Sequence, residues 1–445
     1  MPLISASWRF LISRWQRLQL LRSLSLVTIA VIAALMTIVP VWSQQPVTLK
    51  MLMPAPDVPI WNKTMVAEFE QANPKIKLQI IEGPNSVDMV ENMYTTSFIL
   101  GASPYDLINM DIVWTPKFAS AGWLMDLTDE FPAAELAAFS PVAVNGGRFQ
   151  GRLYRLPIRS DTGMIYYRRD LLQQVGLPLP KTLEDLDRIA KTVQAQKLVR
   201  WGYVWQGRQY EGEAAMFVEV IHGFGGFWVD PNTLEVGLDR PEAIQAVKFL
   251  LNTIRDGISP PGVTTYVEED TRRLFQAGDA MFMRNWPYAW PLLNSDTSKV
   301  KGKVGIMPML GATGKDSGSC LGGWGLGIVK NTRHKAAALK AIRFFSQPQV
   351  QKSFVLDAGF VPGVRSLFTD RDVVTRYPYY PQLATLVDNA VLRPPVAQYA
   401  QVSDILQRYL SMALTNQKSP EEAMQAAAAE TRRLLASSRR VQDAT

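Results

Sequence analysis

The stretch GRLYRLPIRSDTGMIYYRRDLLQQVGLPLPKTLEDL, residues 151–186, decides how the chain is organised. A short apolar run, residues 153–158, ends at a polar break, residues 159–161, and a second run, residues 163–167, follows almost directly. Two strands that meet at a break, with no helix between them, are typical of a chain that passes from one lobe to another. An ordinary strand, bulge and strand inside one domain is the alternative that the local pattern leaves open.

Start and stop signals place two helices behind this break. Residues 170–175 read as a short helix that Gly176 ends, since glycine tolerates the left-handed conformation after a helix. Thr182, with Asp185 three residues later, predicts the start of a second helix over residues 183–196. Further upstream, a strand at 47–53, a helix at 61–72 and a strand at 76–81 alternate, which favours an α/β protein with a mainly parallel sheet.

The break and its flanks resemble the family 1 extracellular solute-binding proteins of bacterial ABC importers, a group that includes maltose- and trehalose-binding proteins. In that family the run G-x-x-Y-x-x-P…D-x-x-x-x-Y-Y-x-x-D-x-x-x-x-x-G marks the first crossing between lobes. The matching residues are Gly151, Tyr154, Pro157, Asp161, Tyr166, Tyr167, Asp170 and Gly176. Residues 69–76, 118–127, 274–290 and 321–330 resemble further family motifs, so the resemblance covers nearly all of the chain after residue 46.

The resemblance implies an α/β fold of the type II periplasmic-binding-protein class, with two discontinuous lobes joined by a hinge. We expect a first lobe from residues 44–157 plus 323–363 and a second from 158–322 plus 364–445. In the family, the strand at 321–330 returns the chain to the first lobe. The resemblance also implies a monomer that captures a small sugar or glycoside and delivers it to the permease subunits of an ABC transporter.

The N-terminal segment predicts export. Four arginines and no acidic residue precede residue 44, and an apolar block of about 16 residues, shorter than the roughly 20 of a spanning helix, lies at 24–39. Residues 1–43 therefore read as a signal peptide ending near Ser43, which predicts a periplasmic protein; an uncleaved anchor is the alternative. The formal net charge of +7 falls to about +3 without these residues. The sequence contains no long basic run of the kind that indicates nucleic-acid binding.

Composition and motifs exclude several kinds of chemistry. Cys320 is the one cysteine and there are two histidines, so an internal disulfide, a Cys-based zinc site and a His cluster are excluded. No H-E-x-x-H, G-x-S-x-G or Walker motif occurs, and we expect no cofactor, no metal and no catalytic residue. The acidic run at 268–270 is typical of a solvated helix start. A secreted glycoside-active enzyme with paired carboxylates is the alternative function.

A sugar site needs aromatic faces for the C–H groups of the ring and planar polar groups for its hydroxyls. Asp161 lies at the crossing, where the family often has a ligand-binding acid, although it could instead cap the break. Asp111 follows a strand, where ligand sites of α/β proteins collect, and could instead be a turn residue. Trp286 and Trp324 match stacking positions of sugar-binding members, and core packing is the alternative for both.

Other candidates rest on weaker matches. Arg365 matches a ligand-contacting arginine of the trehalose- and maltose-type proteins, or is a surface charge. Arg159 lies where several relatives have an aromatic residue. The resemblance therefore does not by itself imply that the ligand is maltose or trehalose. Trehalose, sucrose, maltose, glucosylglycerol and glycerol phosphodiesters all stay open. The ligand-binding candidates are Asp57, Asp111, Arg159, Asp161, Tyr166, Trp205, Tyr210, Trp286, Gly323, Trp324 and Arg365.

Overall fold

The computed structural model describes residues 46–442, the last five in backbone only, so the predicted signal peptide lies outside the described residues. The strands are β1 Val47–Pro54, β2 Ile76–Gly83, β3 Leu107–Asp111, β4 Arg148–Phe149, β5 Arg152–Leu153, β6 Leu156–Pro157, β7 Met164–Arg168, β8 Trp201–Val204, β9 Ala280–Asn285, β10 Val304–Met307 and β11 Trp324–Ile328. The α-helices are Val58–Trp61, Ala67–Ala72, Val87–Ile99, Trp114–Ser120, Ala133–Leu136, Pro141–Asn145, Arg169–Val175, Leu183–Ala195, Glu211–Gly223, Pro241–Arg255, Glu268–Gln276, Ala289–Leu293, Lys335–Phe345, Pro348–Ala358, Arg371–Arg376, Tyr380–Asp388, Tyr399–Leu414 and Pro420–Gln442. Within this range, no helix is long and apolar enough to span a membrane.

The first sheet has five strands in the order β2-β1-β3-β11-β6. β1 pairs in parallel with β2 and β3, and β11 pairs antiparallel with β3 and β6. Every residue of β3 and of β11 is buried, as is typical of central strands whose two faces are both covered by helices. The return strand predicted at 321–330 is therefore present as β11, in the middle of the sheet built by the first part of the chain.

The second sheet has four strands in the order β10-β7-β9-β8. All four come from residues 164–307, so the chain leaves the first sheet after β6 and returns to it at β11. We name residues 158–163 the crossing segment and residues 319–323 the return segment. Within the described residues, the chain from Val47 onwards packs as one compact unit, and the two lobes with their stated limits stay a prediction.

Local signals in the sequence are confirmed behind the crossing segment. Gly176 has φ 67° and ends the helix Arg169–Val175. The Thr182 hydroxyl accepts a hydrogen bond from the Asp185 backbone N–H at 3.2 Å, which caps the helix Leu183–Ala195. The helix predicted at 61–72 begins earlier, at Val58, and consists of the α-helix Val58–Trp61, a π-helical stretch Asn62–Val66 and the α-helix Ala67–Ala72; Pro59 is compatible with a first helical turn.

Candidate functional site

The crossing and return segments lie side by side and are joined through their backbones. The N–H groups of Ile158 and Arg159 donate to the carbonyl of Trp324 at 3.0 and 2.8 Å. The N–H of Gly322 donates to the carbonyl of Asp161 at 2.9 Å. Gly323 has φ 114°, and a Cβ there would lie 2.3 Å from the Arg159 carbonyl oxygen, so only glycine fits this approach. The two connections between the sheets therefore bring Arg159, Asp161 and Trp324 together.

Arg159 is shared between two carboxylates. Its Nε donates to Asp161 Oδ2 at 3.1 Å and its Nη1 donates to Asp57 Oδ1 at 3.3 Å. The guanidinium also lies 4.0 Å from the ring centroid of Phe360, a cation–π contact. The side chains of Arg159, Asp57 and Asp161 are only 12%, 14% and 9% exposed. The positive charge of Arg159 is thus neutralised before any ligand binds.

Asp161 keeps one oxygen without a partner. Its Oδ2 accepts from Arg159, whereas its Oδ1 is buried and accepts no hydrogen bond of normal geometry among the described residues. Burial raises the pKa of Asp161, and the positive charge of Arg159 and the backbone N–H of Val361 act against that shift. A buried carboxylate oxygen without a donor is costly, and a ligand hydroxyl would satisfy it.

Trp286 lies against the return segment and is held by contacts around its ring. A Cβ on Gly322 would lie 3.0 Å from Trp286 Cζ3. The indole N–H donates to Glu268 Oε1 at 3.2 Å, and the Arg284 guanidinium lies 4.0 Å from the ring centroid. The Tyr166 hydroxyl donates to the Trp286 carbonyl at 2.8 Å. Trp286 is therefore a partly exposed aromatic ring in a fixed position, with its one polar atom satisfied.

Glu268 connects two of the predicted site residues, although sequence reasoning assigned it to a solvated helix start. The helix start is confirmed, since the helix spans Glu268–Gln276. Glu268 itself is only partly exposed, and its Oε2 accepts from the Tyr210 hydroxyl at 2.6 Å while its Oε1 accepts from Trp286. Nothing in the sequence distinguishes Glu268 from the two acids that follow it.

Asp111 and Trp324 lie side by side on neighbouring strands of the first sheet, and Asp111 bonds a buried arginine, Arg393. The two residues are register partners in β3 and β11. Asp111 Oδ1 accepts from Arg393 Nη2 at 3.0 Å, and Arg393 Nη1 donates to Glu211 Oε1 at 2.6 Å. Trp114 packs its ring against Trp324 at 5.5 Å with an 83° interplanar angle. Sequence reasoning missed Arg393 and Glu211, which lie far from Asp111 along the chain.

A further carboxylate extends this charged region. Burial, followed by the charges of Glu211, Glu91 and Asp111, raises the pKa of Asp88 to about 6. Glu91 accepts from Lys117 Nζ at 2.8 Å, so that pair is neutral. With Arg155, whose buried guanidinium donates to the Met110 carbonyl, the described part of this region contains three cations, Arg155, Arg393 and Lys117, against four carboxylates, Asp88, Glu91, Asp111 and Glu211.

Three predicted site residues have other surroundings. Trp205 is fully buried and its indole N–H donates to Ser259 Oγ at 3.0 Å, which is a core role. Arg365 is half exposed and forms a salt bridge with Asp388 at 2.5 Å. Tyr166 is fully buried, and its hydroxyl supports Trp286 by donating to the Trp286 backbone carbonyl.

The pKa values of the Cys320 thiol and the His222 imidazole are both shifted in favour of their neutral forms. Burial raises the pKa of the Cys320 thiol to about 12, and the residue is fully buried. Burial lowers the pKa of His222. Within residues 46–442, no group of three or more His, Cys, Asp or Glu side chains is arranged to hold a metal ion.

Comparison with known proteins gives consistent matches over most of the chain. A family described as "Bacterial extracellular solute-binding protein" matches residues 55–352. A "Probable ABC transporter-binding protein" of Deinococcus radiodurans is 32% identical over 357 residues, covering 78% of this chain and 84% of that relative. The structure of maltose-bound MalE3 of T. maritima is 37% identical with a TM-score of 0.82, covering 87% and 100% of the two chains. A ribitol complex of an Agrobacterium radiobacter K84 ABC transporter solute-binding protein is 27% identical with a TM-score of 0.78, covering 87% and 98%.

Proposed function

Because the chain belongs to the bacterial extracellular solute-binding protein family, we propose that it captures a small uncharged sugar or glycoside for an ABC importer. The fold class expected from the sequence, an α/β type II periplasmic-binding-protein fold, is confirmed. The proposed partners are the ligand and the membrane permease. We propose a periplasmic, monomeric protein whose residues 1–43 direct export.

The observation that carries the sugar proposal is the open oxygen of Asp161. This oxygen is buried without a hydrogen bond of normal geometry on the crossing segment, whose backbone bonds the Trp324 carbonyl and the N–H of Gly322; Gly322, on the return segment, lies against Trp286. Sugar rings pack their C–H faces on aromatic side chains and donate hydroxyl hydrogens to carboxylates. Two tryptophans and an acceptor without a partner at one place are the groups that such a ligand needs.

The charges of the region favour an uncharged ligand over a phosphodiester. Each cation in the following pairs bonds a carboxylate: Arg159 with Asp57 and Asp161, Arg393 with Asp111 and Glu211, and Lys117 with Glu91. Glu268 accepts from the neutral donors Tyr210 and Trp286, and Asp88 adds another acid. An anionic ligand would lose its hydration and meet excess negative charge. We therefore propose a neutral glycoside, such as trehalose, sucrose, maltose or glucosylglycerol.

We further propose that ligand binding closes the two lobes, residues 44–157 plus 323–363 and residues 158–322 plus 364–445. The paired crossing and return segments between the sheets support this arrangement, since a hinge requires short connections. Small-angle scattering should give a smaller radius of gyration with saturating sugar than without it. An unchanged radius would argue against closure.

A thermal-shift screen of neutral disaccharides, glucosylglycerol and glycerol phosphodiesters tests the ligand class. Calorimetric titration with the best sugar should then show that Trp286→Ala and Trp324→Ala each weaken binding about 5- to 150-fold, as expected for aromatic rings that a bound ligand covers. Trp201→Ala is the matched control, because Trp201 also has an arginine on its ring, Arg200 at 5.0 Å, but begins β8, the edge strand of the second sheet. Normal sugar affinity in both test variants would contradict this site.

Recovery of the ligand after binding decides between transport and the enzyme alternative. Chromatography should return the sugar intact after long incubation with the protein. Hydrolysed sugar would favour a glycoside-active enzyme and contradict a purely binding role.

A further inference from the structure

We propose that Glu268 is a positioning residue that fixes Trp286 and Tyr210 together as one wall of the ligand site, with Arg284 behind the tryptophan ring. The ligand part of this proposal rests on the proposed function. The arrangement of the wall itself does not, and it can be tested without any sugar.

The first argument is that both oxygens of Glu268 are used by neighbouring aromatic side chains. Oε1 accepts from the indole N–H of Trp286 at 3.2 Å, and Oε2 accepts from the hydroxyl of Tyr210 at 2.6 Å. The two aromatic residues lie on separate elements, after β9 and before the helix Glu211–Gly223. One carboxylate therefore fixes their separation.

The backbone of the same residues is joined as well. The Asn285 side-chain amide donates to the Glu268 carbonyl at 3.0 Å, and the Trp286 N–H donates to Asn285 Oδ1 at 2.8 Å. Asn285 is fully buried, so this connection does not compete with water. The start of the helix Glu268–Gln276 and the end of β9 thus move as one body.

Arg284 supports the tryptophan from within the second sheet. Its guanidinium lies 4.0 Å from the ring centroid of Trp286. Glu219 holds that guanidinium through two hydrogen bonds, at 2.8 and 2.7 Å, and both side chains are completely buried. The cation is therefore fixed, and a ring that stacks on a fixed, desolvated cation has little freedom to turn.

The consequence is a division of roles among the residues of the wall. The indole N–H and the Tyr210 hydroxyl donate to Glu268 and are not free to donate to a ligand. Trp286 then offers a ligand its ring surface, and Glu268 acts on the ligand through Trp286 rather than by direct contact. Preorganisation of this kind raises affinity because the ordering cost is met before binding.

Substitution distinguishes hydrogen-bond positioning from a direct charge contact. Alanine at 268 removes both acceptors, whereas glutamine can still accept from the indole N–H and can donate an amide hydrogen to the phenolic oxygen. We expect Glu268→Ala to weaken sugar binding about 5- to 20-fold and Glu268→Gln to stay within about threefold of wild type. A large loss in both variants would assign Glu268 to direct charge-assisted contact and overturn the positioning role.

A double-mutant cycle decides whether Glu268 acts through Trp286. In a Trp286→Ala background, Glu268→Ala should cause no further loss of affinity beyond about twofold. Glu269→Ala is the matched control, because Glu269 lies on the same helix start but bonds Arg272 and Tyr288. Equal losses from Glu268→Ala in both backgrounds would contradict the proposal.

A ligand-free measurement separates this proposal from the proposed function. With 5-fluorotryptophan incorporated, Trp286→Phe identifies the fluorine resonance of Trp286. Glu268→Ala should shift and broaden that resonance, Glu268→Gln should restore it, and Glu269→Ala should leave it unchanged. A resonance that does not respond to Glu268→Ala would overturn the positioning role. Wild-type protein that binds no sugar would overturn the proposed function and leave this result valid.

Discussion

Two arginines that bond carboxylates away from bulk solvent, the buried Arg284 and the partly buried Arg159, lie in different parts of the molecule and have different partners. Arg284 belongs to β9 of the second sheet and bonds both oxygens of Glu219, with neither side chain exposed. Arg159 belongs to the crossing segment and divides its donors between Asp57 and Asp161, and its side chain stays 12% exposed. The first pair is closed, and the second leaves Asp161 Oδ1 without a donor.

The difference shows how a structural ion pair is distinguished from a binding one. In the closed pair every strong acceptor of Glu219 is used, including a bond from the Cys320 N–H at 3.1 Å, so no group is left for a ligand. In the open pair an acceptor is buried at a cost that only a further donor would remove. We therefore expect stability to depend mainly on Glu219 and ligand affinity mainly on Asp161.

The largest effect is expected from opening the closed pair. Glu219→Gln leaves the Arg284 charge buried without its counter-ion, which should lower the free energy of unfolding by about 3–5 kcal/mol. Urea denaturation measures this change. Glu135→Gln is the control, because its salt bridge with Arg343 is exposed and should contribute less than about 1 kcal/mol. A loss at Glu219 as small as that of the control would remove the distinction between the two pairs.

The second effect should appear in binding and not in stability. Asp161→Asn keeps the size of the side chain and removes a charged acceptor, so affinity for the sugar should fall about 10- to 150-fold, or about 1.5–3 kcal/mol. Burial already disfavours the charged form of Asp161, as its raised pKa indicates, so the free energy of unfolding should change little. Calorimetry and urea denaturation of one preparation measure both quantities. Wild-type affinity would show that the open oxygen does not meet a ligand.

Much of the fold was predictable because its signals are local or belong to a family pattern. The glycine at Gly176 and the cap at Thr182 act on the next few residues, and both predictions are confirmed. The return strand was predictable from its resemblance to the family. The insertion of β11 between β3 and β6 is a long-range pairing, which no local pattern specifies.

The site was less predictable, because its partners are distant in sequence. Arg393 lies 282 residues from Asp111, and Glu268 lies 58 residues from Tyr210, so neither pair leaves a motif. Trp205 and Trp286 both lie in aromatic-rich stretches of the sequence, but the indole N–H of Trp205 donates to Ser259 inside the core. Burial separates the two tryptophans, and burial depends on the packing of whole elements.

A third prediction concerns the acid excess near Asp111. Burial and the charges of Glu211, Glu91 and Asp111 raise the folded pKa of Asp88 to about 6, and Arg393 opposes this. The neutral Asp88 carboxyl is the form that favours the folded state. Its contribution to the free energy of unfolding is complete below about pH 4 and is lost as the pH rises through about 6. Asp88→Asn should therefore raise the free energy of unfolding by about 1–2 kcal/mol near pH 7.5, with allowance for partial exposure, and by little near pH 4. A gain that does not depend on pH would contradict this account.

The smallest effect is expected at Arg365, the sequence candidate whose partner is an exposed acid. Its salt bridge with Asp388 has side chains 50% and 31% exposed, and pairs in such positions contribute less than about 1 kcal/mol. Arg365→Ala should therefore leave both the free energy of unfolding and the sugar affinity close to wild type, while Asp161→Asn in parallel loses affinity. Arg365→Lys controls for charge alone, because it keeps the cation but not the planar guanidinium. If Arg365→Ala lowered affinity by about tenfold or more, the arginine would leave Asp388 to meet the ligand, and the open pair at Asp161 would be one of two polar anchors.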